Sequence, residues 1–325
     1  MRLLAGDVGG TNARLATVEV DDRGALRIVR QAVFPSPRYP GLETIVREYG
    51  VEPDVRRACF AIAGPVVDGE VHTSNLPWTI QTAALAAGIG IPLTTLINDF
   101  HAVGHGVLQL APDDVHTLQA GTPVAGGAIA LIGPGTGLGQ AMVIRDEHDY
   151  RVEPSEGGHA SLAARSEVEW GLVQYLIARH GPHVSYERAV SGPALIDLYG
   201  YVVERGLAPK RDPVAAEMAA ENAAAVITRH ALAGSDDACA AAVELFVSLL
   251  GSQAGNFALA ALATGGVYVA GGIARRIVPL LERGSFLRSF ADKGRMGRLL
   301  AAVPVHVIVN DSVGLLGAAA VAARL

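Results

Sequence analysis

The sequence predicts an α/β protein built from two lobes, and three features of the chain lead to this prediction. At 325 residues, the chain is too long for one ordinary hydrophobic core. Short β-branched runs near the N-terminus and around residues 128–144 have the composition of strands. Residues 213–232 and 235–264 are instead rich in alanine with apolar residues at helical spacing, which predicts packed helices of a larger lobe.

The composition narrows the classes of function. A formal net charge of -6 and a pI near 5.9 argue against a nucleic-acid or anionic-membrane surface, which would need a basic stripe. The only cysteines, Cys59 and Cys239, lie far apart in apolar stretches, which is typical of reduced thiols in a cytoplasmic protein. Asp7 interrupts the apolar start, so no secretory leader is expected. Small molecules are therefore the predicted partners.

Residues 255–274 carry no charge and are long enough to raise the question of a membrane span. Asn256, Thr264 and the Gly-Gly pairs at 265–266 and 271–272 interrupt this stretch. We therefore predict the end of a helix, a turn, a short strand VYVA and a second turn.

Two glycine-rich segments lie between strand-like runs. The first is the centre of MRLLAGDVGGTNARLATVEV, and the second is the centre of AIALIGPGTGLGQAMVI at residues 128–144. Walker and Rossmann loops lead directly into a helix whose N-terminus holds the phosphate. Here a strand is expected after each loop, so both segments are predicted to be hairpin tips, and neither motif can be placed on them.

The two hairpin tips have the residues for binding phosphate without a lysine. The only lysines, Lys210 and Lys293, follow neither loop, which excludes a P-loop or protein-kinase lysine. Glycine allows successive N–H groups to converge on an anion in conformations that other residues avoid. Thr11 and Thr136 would add hydroxyls, and Asp7 would reach Mg²⁺ through water. A plain tight hairpin is the alternative for either loop alone.

The segment TTLINDFHAV, residues 94–103, reads as a strand that stops at Asn98 and Asp99 before a helix begins. Asp is a favoured N-cap, so capping is the structural interpretation of Asp99. The carboxyl end of a strand is also where α/β proteins bind ligands, which favours a functional interpretation. The residues themselves leave both open.

Seven segments of the chain resemble the bacterial glucokinase family of the hexokinase, Hsp70 and actin superfamily. In chain order they are DVGGTNARLA, INDFHAVGHG, GPGTGLGQA, PSEGGHASLA, ERAVSGPA, YVAGGI and DKGR. The resemblance implies a two-lobed actin-like ATPase (ribonuclease H-like) fold with an interlobe cleft. Residues 1–109 plus 308–325 would form the small lobe, and 110–307 the large lobe. The related ROK kinases usually carry a Cys-rich zinc motif that two cysteines cannot supply, so the non-ROK branch fits better.

The resemblance also implies a reaction, which is the Mg-ATP-dependent phosphorylation of the 6-hydroxyl of glucose with Asp99 as catalytic base. A hexose pocket needs buried carboxylates and amides, because each hydroxyl both donates and accepts. The implied substrate-binding residues are Asn75, Asn98, Asp99, Glu156, His159 and Glu187. The implied nucleotide-binding residues are Gly6, Asp7, Val8, Gly9, Gly10, Thr11, Asn12, Gly135, Thr136, Gly137, Gly271 and Gly272. A homodimer is the implied assembly.

Structural roles remain open for several of these residues. Asn75 fits a surface turn, Glu156 a solvated position and His159 a structural imidazole. Glu187 fits a helix-capping carboxylate. Relatives commonly have SGPG where this chain has Ala194, which would strain the turn if positive φ were needed there.

Other functions remain as alternatives. A kinase of another hexose, such as mannose, fructose or an amino sugar, would use the same residue types. A non-sugar actin-like ATPase would share the hairpins without needing the polar set, and ADP or polyphosphate would be other phosphoryl donors. A sugar-responsive repressor would need a DNA-binding segment ahead of Asp7.

Overall fold

The structure is a computed structural model that describes residues 1–73, 76–146 and 149–325. The chain divides into two compact units. Unit 1 comprises Met1–Asp114, Val152–Pro154 and Asn310–Leu325, and unit 2 comprises Val115–Arg151 and Ser155–Val309. Each unit contains strands and helices, which confirms the predicted α/β class.

A five-stranded sheet forms the centre of unit 1, in the order β3-β2-β1-β4-β8. Its strands are β1 (Arg2–Val8), β2 (Asn12–Val20), β3 (Leu26–Pro35), β4 (Arg57–Ile62) and β8 (Leu93–Asn98). A small second sheet contains β5 (Val66–Val67), β6 (Glu70–His72) and β7 (Thr79–Gln81). The first three strands of the large sheet are antiparallel neighbours, whereas β1, β4 and β8 run parallel. The parallel strands bring their carboxyl ends to one edge of the sheet.

Apolar residues on both faces of this sheet are covered. The helices of unit 1 are α1 (Leu42–Tyr49), α2 (Thr82–Ile89), α3 (Asp99–Val107) and α13 (Val313–Ala323). Leu4 and Val8 of β1 pack into a cluster with Leu42 of α1, whereas Leu3 and Ala5 pack into another that contains residues of α13. This alternation follows from the two-residue period of a strand.

Helices α3 and α13 approach each other closely through glycines. A Cβ on Gly106 would lie 2.1 Å from the Val313 carbonyl oxygen, and one on Gly317 would lie 1.7 Å from the Ala102 carbonyl oxygen. Neither position has room for a side chain. The helix that begins at Asp99 is therefore supported by the last helix of the chain.

A six-stranded sheet lies in unit 2, in the order β12-β11-β10-β13-β14-β9. Its strands are β9 (Val115–Gln119), β10 (Ile129–Pro134), β11 (Leu138–Arg145), β12 (Tyr150–Ser155), β13 (Gly266–Val269) and β14 (Val305–Ile308). Strands β10 and β11 form an antiparallel hairpin, and β10, β13 and β14 run parallel. The tip of the β10–β11 hairpin and the turn after β13 therefore lie at the same edge of the sheet.

The helices of unit 2 surround this sheet. They are α4 (Glu167–His180), α5 (Gly192–Glu204), α6 (Asp212–Ala220), α7 (Ala223–Ala233), α8 (Asp237–Ala261), α9 (Gly272–Arg276), α10 (Val278–Leu281), α11 (Ser285–Ala291) and α12 (Gly297–Ala302). Within the described ranges, α8 alone is long and apolar enough to cross a membrane, but 72% of its most apolar segment is buried inside the fold. It is a core helix. The predicted order of helix, turn, strand and turn across residues 255–274 is confirmed.

Both cysteines are free and buried, as predicted, with Cys59 in β4 and Cys239 in α8. Burial raises the pKa of both thiols, that of Cys239 to about 12. Neither thiol has the thiolate character that redox or nucleophilic chemistry requires.

Candidate active site

The first glycine hairpin and the Asn98–Asp99 pair lie at the same edge of the sheet of unit 1. Val8 at the end of β1 pairs with Ile62 of β4, and Ile62 pairs in turn with Asn98 of β8. Two strand spacings correspond to about 10 Å. The predicted tip is confirmed as a tight turn in which the Gly9 N–H donates to the Asn12 carbonyl at 2.9 Å. Residues separated by ninety positions in the sequence are thus neighbours.

Asp7 lies one position before the end of β1 and is partly buried. A Cβ on Gly314, in the first turn of α13, would lie 3.2 Å from Asp7 Oδ2. Burial raises the pKa of the Asp7 carboxyl, and the nearby charge of Arg14 opposes this effect. The carboxylate is therefore held against the start of a helix in a site that only partly compensates its charge.

Asn98, not Asp99, is the residue whose side chain caps α3. Its Oδ1 accepts hydrogen bonds from the backbone N–H of Phe100 at 2.9 Å and of His101 at 3.2 Å. Its Nδ2 donates to the Gly64 carbonyl at 3.1 Å. The capping interpretation of Asp99 is therefore wrong. Among the described residues, the second Nδ2 hydrogen of Asn98 has no acceptor, so this amide retains a donor for a ligand, whereas its oxygen already accepts two bonds.

Asp99 is the first residue of α3 and is half-buried. Its Oδ1 lies 2.9 Å from the N–H of Phe100. A carboxylate in the first turn of a helix is stabilised by the unpaired N–H groups there. The junction of β8 and α3 thus fixes an ionisable oxygen at the carboxyl edge of the parallel strands, where α/β proteins commonly bind ligands.

The two histidines of α3 lie side by side. His101 and His105 approach within 3.3 Å between their Nε2 atoms, and burial lowers the pKa of His101. No group of three or more His, Cys, Asp or Glu side chains in the described part of the chain could hold a metal ion.

In unit 2, Glu156 and His159 lie on a short turn that follows β12, which we call the Gly-Gly loop (residues 155–160). Gly157–His159 form one turn of 3₁₀-helix. The side chains of Glu156 and His159 are 76% and 60% exposed, with 3.7 Å between Oε2 and Nε2. Both side chains of this loop are therefore accessible to a ligand.

Glu187 joins the Gly-Gly loop to the second glycine hairpin. Its backbone N–H donates to the Gly158 carbonyl at 3.0 Å, and its Oε2 accepts from the Leu138 N–H at 2.9 Å. The helix-capping interpretation of Glu187 is wrong, because α5 begins only at Gly192 and Ser191 caps it. Glu187 is half-buried where the two loops meet.

Ala194 causes no strain. It lies inside α5, where its N–H donates to the Ser191 hydroxyl at 3.3 Å. Among the described residues, the non-glycine positions with positive φ are Asp68 and Leu262. The expected difficulty with a missing glycine at position 194 therefore does not arise.

In the second hairpin, Gly137 serves close packing, whereas a Cβ on Gly135 would meet nothing within 4 Å. Gly135 and Gly137 do not have positive φ, contrary to the expectation that such loops use conformations other residues avoid. A Cβ on Gly137 would lie 2.4 Å from Glu187 Oε2, and one on Gly158 would lie 2.1 Å from the Leu138 carbonyl oxygen. The hairpin and the Gly-Gly loop are therefore in direct contact.

Gly6 and Gly271 are also explained by close contacts, and Gly271 has a positive φ in addition. A Cβ on Gly6 would lie 2.4 Å from Phe60 Cδ1, so core packing explains this glycine. Gly271 has φ +94°, and its Cβ would lie 2.5 Å from the Pro134 carbonyl oxygen. It thus allows the turn after β13 to pass closely over the end of β10.

A cavity of about 610 Å³ lies in unit 2 beside the second hairpin tip, with Gly135 and Thr136 in its wall. This volume is typical of a small-molecule site. Asn222, Thr228 and Arg276 also line it, and Asn222 caps α7 with an Oδ1 that accepts from the Ala225 N–H at 3.0 Å. None of these three residues was predicted from the sequence as a site residue. Only Asn222 carries a sequence signal, because an amide before an alanine-rich helix is typical of an N-cap.

Gly272 begins α9, the short helix that brings Arg276 to this cavity.

The other predicted nucleotide-binding residues differ in exposure. Thr11, Asn12 and Thr136 are exposed, Gly10 is partly exposed and Val8 is buried. Asn75 lies outside the residues that the structure describes.

Comparisons with known proteins agree with this arrangement. The Glucokinase family profile matches residues 4–325. A glucokinase of Nostoc sp. is 43% identical over 340 residues, with 99% of each chain covered. A glucokinase of Synechocystis sp. is 41% identical, with 100% of this chain and 98% of the relative covered.

A crystal structure of glucokinase from an Antarctic psychrotroph has a TM-score of 0.85 and 33% identity, and the alignment covers 100% of this chain and 99% of that one. The predicted fold class is therefore confirmed as that of the actin-like sugar kinases. The matches extend over both units rather than over one motif. The chain thus belongs to the glucokinase family.

Proposed function

We propose that the protein phosphorylates the 6-hydroxyl of glucose with MgATP and that Asp99 is the catalytic base. The observation that carries the assignment of Asp99 is its place beside the first glycine hairpin, at the carboxyl ends of parallel strands. Membership of the glucokinase family supports glucose as the acceptor.

The chemistry explains why a carboxylate is needed there. Transfer of a phosphoryl group to an alcohol requires a positioned hydroxyl, neutralised phosphate charge and an acceptor for the hydroxyl proton. Asp99 would accept a hydrogen bond from the 6-hydroxyl, orient its oxygen and take the proton as the new bond forms. Asn98 would donate its remaining Nδ2 hydrogen to a sugar oxygen.

Glu156, His159 and Glu187 would make the other contacts with hexose hydroxyls, together with Asn75. The exposure of Glu156 and His159 supports this role. Glu187 is constrained by its bond from Leu138, so its remaining acceptor capacity would select the orientation of one hydroxyl.

The nucleotide would contact residues 6–12, residues 135–137 and the Gly271–Gly272 turn. The 610 Å³ cavity supports this assignment, since Arg276 and the N-termini of α5 and α7 favour a polar or anionic ligand. Phosphate oxygens would accept from backbone N–H groups and from the hydroxyls of Thr11 and Thr136.

Mg²⁺ fits the residues present. Protein sites for Mg²⁺ usually supply one or two carboxylates and leave the other positions to water and substrate phosphates. Asp7 offers a carboxylate whose raised pKa reports burial without full charge compensation. It would hold the ion through water, and a bound ion would neutralise phosphate charge.

The first test is a hexose panel with MgATP, using Asp99→Asn and, as a matched control, the exposed Asp113→Asn. We expect kcat/KM to be highest for glucose. D99N should lose about 10²- to 10⁴-fold in kcat, the usual contribution of a general base, while glucose binding stays measurable by calorimetry. Wild-type turnover in D99N would exclude Asp99 as the base. A higher kcat/KM for another sugar, or ATP hydrolysis independent of sugar, would favour the alternative functions.

The proposed assembly is a homodimer, and the proposed location is the cytoplasm. Trp170 and Ile177, which lie two turns apart on the same face of α4, are 56% and 40% exposed and give this face an apolar surface. Light scattering of the purified protein measures the assembly, and a monomeric mass would exclude the dimer.

A further inference from the structure

Gln140 of β11 is a buried amide that has no hydrogen-bond partner among the residues the structure describes. The residue is 1% exposed, and neither its Nε2 nor its Oε1 forms a hydrogen bond with the described part of the chain. Such groups are rare in proteins, because a buried donor or acceptor loses its water without compensation. An apolar side chain of the same size would be more stable at this position.

The Gly-Gly loop lies directly over this amide. Gln140 and Leu138 share one face of β11, since they are two residues apart in a strand. A Cβ on Gly157 would lie only 2.2 Å from Gln140 Oε1, just as one on Gly158 would meet the Leu138 carbonyl. The two glycines therefore rest on the strand that leaves the second hairpin, and Gln140 faces the first of them.

The loop has polar groups that are only loosely engaged. Ser155 Oγ accepts from the Gly157 N–H at 3.1 Å, and its own hydrogen can be donated. The Gly157 carbonyl accepts from Gln253 Nε2 at 3.4 Å, near the upper limit for a hydrogen bond. A small displacement of the loop would give the Gln140 amide one acceptor and one donor.

We propose that Gln140 is a positioning residue for the Gly-Gly loop. When Glu156 and His159 contact a hexose, Gln140 Nε2 donates to the Gly157 carbonyl and its Oε1 accepts from the Ser155 hydroxyl. The free-energy cost of the unpaired amide disfavours the loop position seen here. The two hydrogen bonds of Gln140 stabilise the sugar-bound position. Only such a difference between two states allows a residue to shift an equilibrium. This inference rests on the proposed function, since it takes the hexose as the ligand of the loop.

Substitution of Gln140 distinguishes a positioning role from a purely structural one. Gln140→Met keeps the length of the side chain and removes both polar atoms. We expect the Tm to stay equal or rise, the KM for glucose to rise about tenfold through loss of one or two hydrogen bonds, and kcat and the KM for ATP to stay within about twofold. Gln140→Leu is a second variant with the same expectation, in case one of them folds poorly.

Gln119 provides the matched control, because it is a partly buried glutamine of the same sheet whose amide is paired. Its Nε2 donates to the carbonyls of Leu300 at 2.9 Å and of Val303 at 2.7 Å. Gln119→Met should lower the Tm and leave the KM for glucose unchanged. The two substitutions should therefore act in opposite directions on stability and differ in their effect on sugar binding.

Two results would overturn the inference. One is an unchanged KM for glucose in both Gln140 variants, and the other is a fall in Tm like that of Q119M in both of them. Failure of the proposed function is distinguishable, because the wild-type protein would then show no glucose phosphorylation. Calorimetric titration of wild type and Q140M with glucose measures the binding change directly.

Discussion

Asn98 and Asp99 are adjacent in the sequence, but the structure gives them different tasks. Both polar atoms of the Asn98 amide form hydrogen bonds. Its Oδ1 caps α3, and its Nδ2 donates to the Gly64 carbonyl. This leaves Asp99 in the first turn as the ionisable group at the edge of the sheet. The sequence predicted the strand, the helix and the ligand-binding edge. It could not show which residue is the cap, because Asn and Asp have almost equal preference for that position.

The two lysines of the chain lie in contrasting environments, and this gives a test at the residue scale. Lys293 donates from Nζ to the Ser252 hydroxyl at 3.1 Å, whereas Lys210 is exposed. Burial, followed by the charge of Arg165, lowers the pKa of Lys293 below its ordinary 10.5. The unfolded chain therefore binds more protons between the two pKa values, and wild-type stability rises with pH in that window.

We accordingly expect the free energy of unfolding of Lys293→Met, relative to wild type, to be most favourable at neutral pH. The relative value should fall as the pH rises through the lowered pKa of Lys293 towards 10.5. Urea denaturation from pH 7 to pH 10 measures this difference, with Lys210→Met as the control that should show no such trend. A difference that is independent of pH would contradict the shift at Lys293.

At the scale of elements, both glycine hairpins were predictable, but the reason for their glycines was not. The sequence predicted strand, tip and strand from local composition alone. Gly137 and Gly158 are instead explained by contacts with Glu187 and Leu138, which are distant along the chain. A local sequence pattern does not show such contacts between distant residues, so it could not reveal that Gly137 and Gly158 allow close approach. For the same reason, the sequence could not show that Glu187 accepts a hydrogen bond from Leu138 of the second hairpin.

The contact between α3 and α13 can be tested by adding one methyl group. Gly317→Ala would place Cβ 1.7 Å from the Ala102 carbonyl oxygen, so the helices must separate. We expect a loss of about 1–3 kcal/mol in the free energy of unfolding, the usual effect of overpacking. The kcat should also fall, because α3 carries Asp99. Gly41→Ala, where a Cβ meets nothing within 4 Å and φ is 178°, should cost less, at most about 1 kcal/mol, because Gly41 is the N-cap of α1 and Ala is a poorer N-cap than Gly. Equal stability of the two variants would argue against the close helix contact.

At the scale of the whole molecule, the sequence was most informative where parallel strands determine position. The carboxyl ends of β1, β4 and β8 meet at one edge, so polar residues that follow different strands become neighbours. The 610 Å³ cavity was not predictable in the same way. Its wall combines the hairpin tip with residues from α5, α7 and α9, and Thr228 and Arg276 follow no local rule. Packing of distant helices decides such a site.

Each unit contains one buried thiol, which allows the opening of each unit to be followed separately. With a pKa of about 12, Cys239 would be thiolate in only about one molecule in 10⁴ at pH 8. We expect the native protein to resist a thiol reagent such as DTNB for many minutes, and both thiols to react in guanidinium chloride. The single variants Cys59→Ala and Cys239→Ala assign the signal to unit 2 and to unit 1. Rapid stoichiometric labelling of the native protein would contradict the burial of these side chains.

Unit 1 is not continuous along the chain, since Asn310–Leu325 complete what Met1–Asp114 begin. Leu3, Ala5 and Cys59 lie in one apolar cluster with Leu315 and Ala318 of the last helix. A ribosome makes residues 115–309 before that helix, so one face of the first sheet stays uncovered while unit 2 is synthesised and folds. During this interval the nascent chain presents an apolar surface that chaperones bind. The edge of unit 1 that carries the proposed catalytic base is therefore completed late in translation, and a chain that stops before residue 313 would carry Asp99 on an unsupported helix.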